Sequence, residues 1–144
     1  MQNFVFTANQ HKQLALGCFR SRNQLTLVAR RISHQFGKSS KSNRAAQRAV
    51  FLFDQLRNEL DEHYYRNYGK YGKLTGHCLY FDFYEEQIID KTIPLGESWA
   101  QQRQTIERFL EPIFAQQTSE CSKLARELGT KLLEVEALLG ARPI

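Results

Sequence analysis

The chain is poor in the residues that break helices and in those that cross-link chains. Eight glycines and three prolines among 144 residues are too few for a loop-dominated fold. Three cysteines, Cys18, Cys78 and Cys121, lie far apart with no Cys-x-x-Cys pair. That spacing argues against a disulfide framework and against a structural zinc site, and fits reduced, intracellular thiols. No apolar run approaches the roughly 18 residues of a membrane span, so no membrane partner is expected. No apolar h-region follows the N-terminus, so no secretory signal is expected either. Acid is missing from one part of the chain: residues 1–53 contain no Asp or Glu.

What is present describes a globular protein of 16.8 kDa, with 42% apolar and 24% charged residues. Length and composition predict a single helical domain over 1–144 with one real core. The net charge is +5 and the pI about 9.2. Residues 1–53 carry nine cations: Lys12, Arg20, Arg22, Arg30, Arg31, Lys38, Lys41, Arg44 and Arg48. Residues 54–144 carry 11 basic and 15 acidic residues. The opening third is therefore a cation and the remainder a mild anion. Such a division suits either internal pairing or a surface for phosphates or an acidic partner. The composition of the opening stretch resembles an organellar transit peptide. We read it as part of the domain and expect a cytoplasmic protein.

Apolar periodicity predicts an all-α bundle of four main helices with a short aromatic-rich fifth segment. The first helix is expected over 7–36, with Leu14, Cys18, Leu25, Val28, Ala29, Ile32 and Phe36 on one face. Lys12, Arg20, Arg30 and Arg31 fall on the other. Gly37 to Asn43 forms a polar break, and Ser42 or Asn43 can cap the next helix. That helix is expected over 44–67, ended by Gly69 and Gly72. Residues 74–93 fit strand or helix; Glu85 and Glu86 favour helix. A third helix should start near Glu97 or Ser98, with Pro112 kinking or restarting it. The last should start near Thr118 or Ser119. Its stripe of Cys121, Leu124, Leu128, Leu132, Val135 and Leu139 is expected to be core, with a homodimer seam as the alternative.

Several short patterns bear on chemistry. Gly37-Lys38-Ser39 matches the tail of a phosphate-binding loop, but Ile32 stands where that motif needs glycine, so an interhelix turn is expected. Glu59 and His63 share a helix face, read as a solvated ion pair. A metal would need two more ligands, and neither metal nor cofactor is expected. All six tyrosines lie in 64–84. Tyr64, Tyr65, Tyr68 and Tyr71 interleave with Arg66, Lys70 and Lys73. Aromatic rings among cations serve protein interfaces or stack nucleic-acid bases, or simply close the end of a bundle.

The run from Arg57-Asn58 to His63-Tyr64-Tyr65 resembles the Arg-polar-spacer-His motif of the HEPN helical ribonucleases. The resemblance covers nine residues, and it lies earlier in this chain than the motif usually lies in that family. It implies an all-α, usually dimeric, metal-independent RNase. In that reading Arg57 neutralises the scissile phosphate and His63 moves the 2′-hydroxyl proton.

These patterns lead to an expected function. The chain is read as a small non-enzymatic interaction module that binds an acidic protein. Its expected surface combines Arg20, Arg30, Arg31, Lys38, Lys41, Arg44 and Arg48 with the Tyr-rich connection. Self-association is a further expected mode. A nucleic-acid-binding accessory protein and the RNase are the alternatives.

Overall fold

A computed structural model describes residues 6–72, 80, 92–115 and 120–140, with the backbone alone over 69–72. The described residues form four helices and no strand: α1 (Ala8–Phe36), α2 (Lys41–Gly72), α3 (Leu95–Phe114) and α4 (Glu120–Gly140). The all-α bundle follows directly from the apolar stripes. Leu14, Cys18, Leu25, Val28, Ala29 and Ile32 are all buried, and Phe36 packs partly buried against them. All six residues of the α4 stripe are buried within the one chain, so that stripe is core. Trp99 is fully buried, and its indole N–H donates to the Leu132 carbonyl at 2.9 Å.

Each helix packs against two neighbours, in the ring order α1–α2–α4–α3. Residue pairings show that every neighbouring pair runs antiparallel. Arg22 meets Asp54 while Phe6 meets Tyr68 across α1 and α2. Gly17 meets Phe109 while Arg31 reaches Ile93 along α1 and α3. The path is therefore up, down, down, up. The chain leaves α2 at one end of the bundle and begins α3 at the other.

Several boundaries differ from expectation. Helix α2 begins at Lys41 because Ser40, not Ser42 or Asn43, supplies the cap: the Ser40 hydroxyl accepts from the Asn43 N–H at 3.1 Å. Ser42 and Asn43 are instead buried in the first turn. The helix continues through Gly69 to Gly72, since a single glycine weakens a helix without ending it. Helix α3 starts at Leu95, directly after Pro94. It runs through Pro112 to Phe114 without restarting. Pro112 forfeits only the bond to the Arg108 carbonyl, and the helix ends two residues later. The aromatic segment over 74–93 lies outside the described residues, apart from Tyr80, Thr92 and Ile93.

Candidate functional site

The α1–α2 turn brings the first group of cations to the surface. Gly37 ends α1 with φ of 92°, and its N–H caps the Ser33 carbonyl at 3.0 Å. The phosphate-loop-like Gly37-Lys38-Ser39 is thus a helix–helix turn, with no strand before it. Lys38 is exposed there, and Lys41, Arg44 and Arg48 follow on exposed positions of α2. Lys41, Arg44 and Arg48 line a groove between α2 and α4 of about 470 Å³, with Lys131, Glu134, Ala45 and Leu138. Lys131 pairs with Glu134 at 2.6 Å. Among the described residues no carboxylate forms an ion pair with Lys41, Arg44 or Arg48. The Arg48 guanidinium lies 5.0 Å from the centroid of Phe51, which is 49% exposed. Lys131 is the member of this groove that sequence reasoning missed, because nothing local to α4 links it to residues 41–48.

The other basic residues lie elsewhere. Arg20 lines the seam between α1 and α3, on the opposite side of the ring. Arg31 reaches across the same seam, donating to the Ile93 carbonyl at 2.9 Å. Arg22 is half-buried against Asp54 at 3.0 Å. Lys12 and Arg30 are exposed on α1. The cations of the opening third are thus divided among three seams and the exposed face of α1 rather than gathered on one face.

The tyrosine-rich end of α2 encloses a histidine. His11 is 1% exposed. Edge-on rings of Phe6, Tyr64, Tyr68 and Tyr80 surround it, with centroids 5.3 to 6.1 Å away. Its Nδ1 shares a 2.7 Å hydrogen bond with the Tyr80 hydroxyl. The Tyr80 N–H donates to Asp61 at 3.3 Å, and the Tyr68 hydroxyl donates to the Phe6 carbonyl at 2.8 Å. Burial, with the charge of His63 second, pushes the His11 pKa down to about 4. Burial also holds the Tyr80 hydroxyl firmly protonated. Tyr65 is half-buried and Arg66 exposed. The side chains of Lys70 and Tyr71, and all of Lys73, lie outside the described residues. No local pattern marks His11; apart from Phe6, its partners come from residues 53 to 69 positions away.

Arg57 and His63 share α2, six residues apart, about 120° around the helix at 100° per residue. Arg57 points into the α1–α2 seam, where it lies 3.4 Å from the Asp54 carboxylate that Arg22 also grips. Desolvation lowers the Arg57 pKa while Asp54 opposes the shift. His63 is half-buried further along α2, close enough to influence His11. Neither residue lines the α2–α4 groove or the α1–α3 cleft. Cys18 and Cys121 are buried free thiols, pushed up to about 12 by burial. Among the described residues no three His, Cys, Asp or Glu side chains cluster as a metal site, and no helix is long and apolar enough to cross a membrane. No protein-family model matches the chain, and no curated protein or solved structure is significantly similar to it.

Proposed function

We propose that the chain is a small cytoplasmic interaction module that binds an acidic protein segment in the α2–α4 groove. One observation carries this reading. Three cations on successive turns of α2 face a groove whose single lining carboxylate among the described residues, Glu134, is already engaged by Lys131. Unneutralised cations beside a groove attract an anionic partner and speed its capture. The apolar residues favour protein over nucleic acid. Ala45 and Leu138 line the groove, and Phe51 lies exposed beneath Arg48. An acidic segment carrying an apolar residue matches both features, in the manner of helix-in-groove recognition. The tyrosines around His11 support the reading only indirectly, by fixing the far end of α2.

Fluorescence anisotropy with a labelled Glu-rich peptide tests the proposal, beside a single-stranded RNA and a duplex DNA of equal charge. The peptide should bind and weaken steeply between about 50 and 200 mM salt. Reversing Lys41, Arg44 and Arg48 together to Glu should abolish binding while the helical circular dichroism stays intact. No peptide binding at low salt, or equal binding by the triple variant, overturns the proposal. Tighter binding of RNA than of peptide transfers the groove to nucleic acid.

A further inference from the structure

The seam between α1 and α3, on the side of the bundle away from the basic groove, holds a second opening. It encloses about 480 Å³, within the roughly 300–1,000 Å³ of small-ligand sites. Its floor is apolar, built from Phe6 and Leu14 on one side and Phe109 and Pro112 on the other. Each wall contributes one guanidinium, Arg20 from α1 and Arg108 from α3, and among the described residues no Asp or Glu lines the opening. Lining residues of α1 run from Gln10 to Ser21, about 16 Å along the helix axis at 1.5 Å per residue. The opening is therefore elongated, with an apolar floor, polar Gln10, Gln13, Ser21 and Thr105 along its sides, and the Arg108 guanidinium at its rim.

Gly17 adds an independent observation. Glycine is the poorest helix former after proline, yet Gly17 lies in the middle of the 29-residue α1. A Cβ there would meet Phe109 at 3.5 Å, an ordinary van der Waals contact. Helix packing therefore does not exclude a side chain at this position. Gly17 does line the cleft, and a side chain would take up space within it. The glycine keeps the cleft open at the expense of its own helix.

We propose that the α1–α3 cleft binds a free medium-chain carboxylate, with the alkyl chain along Leu14, Gly17 and Phe109 and the carboxylate held by Arg108. A guanidinium matches a carboxylate through paired N–H···O bonds, and such charge-assisted bonds are stronger at the edge of an apolar site than in water. An unbranched chain fits an elongated floor between two helices.

Isothermal titration of the whole chain with decanoate, kept below its micellar concentration, provides the test. Wild type should bind saturably with one site. Decanol should bind at least about tenfold more weakly, since it lacks the charge. Acetate should not bind, since it lacks the chain. Arg108→Gln, an exposed substitution, should weaken decanoate by about fivefold or more. Gly17→Leu should abolish binding with helicity and melting temperature retained; should that variant misfold, Arg108→Gln decides alone. Vesicles of phosphatidylglycerol should not sediment the protein. Unsaturable binding, equal affinity for decanol, an unchanged Arg108→Gln, or vesicle binding that decanoate does not compete would each overturn the proposal.

Discussion

His11 shows how one buried side chain ties stability to pH. Its pKa is about 4 in the fold against 6.5 for an ordinary histidine. Because the folded value is depressed, the unfolded chain takes up the proton first on acidification. Stability is full above about pH 6.5 and falls as the pH drops toward 4, by up to about 3 kcal/mol. His11→Gln keeps a polar contact for Tyr80 but cannot titrate. Urea midpoints at pH 7 and 4.5 should differ clearly less for this variant than for wild type; equal differences would assign the acid sensitivity to other groups. The thiols make a second residue-scale prediction. Thiolate is the reactive form, and Cys18 and Cys121 are held near 12. Iodoacetamide at about pH 8 should leave both unmodified in the native chain and label both in guanidinium. Peptide mapping reads the result, and native labelling of either would show the bundle opening far more readily than its packing implies.

At the scale of the element, local chemistry set the ends of helices more finely than periodicity did. The sequence contained the signal for the start of α1. Thr7 and Gln10 form a reciprocal capping box, with Gln10 N–H to Thr7 Oγ1 at 3.1 Å and Thr7 N–H to Gln10 Oε1 at 2.8 Å, the S/T-x-x-E/Q pattern of a helix start. The faces of α1 and α4 were readable because 3.6-residue spacing and burial coincide there. The start of α2 is ambiguous in the sequence because Ser40, Ser42 and Asn43 are all capping residues. Only the turn geometry selects Ser40, whose hydroxyl also donates to the Gly37 carbonyl at 2.8 Å. Among the described residues Gly37 is the one glycine with positive φ, and a Cβ there meets nothing within 4 Å. Gly37→Ala should therefore cost only backbone strain, about 1–3 kcal/mol. Ser40→Ala should cost about 1 kcal/mol through the lost cap. Thermal melts check both, and a neutral Gly37→Ala would mean that the turn relaxes out of its left-handed conformation.

For the whole molecule, the decisive facts are long-range, and residue patterns did not contain them. Nothing in residues 41–48 announces that α4 will lie beside them, nor in Arg20 that Arg108 will face it. The ring order divides one acid-free stretch of sequence between opposite seams, so the two proposed sites have the core between them. Arg103 of α3 illustrates how firmly a seam is tied: it pairs with Glu136 across to α4 and with Glu107 at 2.9 Å on its own helix. Two sites on opposite seams are separated by at least a helix diameter, about 10 Å, which exceeds the screening length of about 8 Å at physiological salt. Substitutions at such a distance without shared partners act additively. The Lys41, Arg44 and Arg48 triple reversal should therefore abolish peptide binding while changing the decanoate affinity by less than about twofold. Arg108→Gln should do the converse. Titrating each variant with both ligands measures the coupling directly. A decanoate affinity that collapses with the triple reversal would show that the helices move as a linked pair, and that the two seams of the bundle form one responsive site.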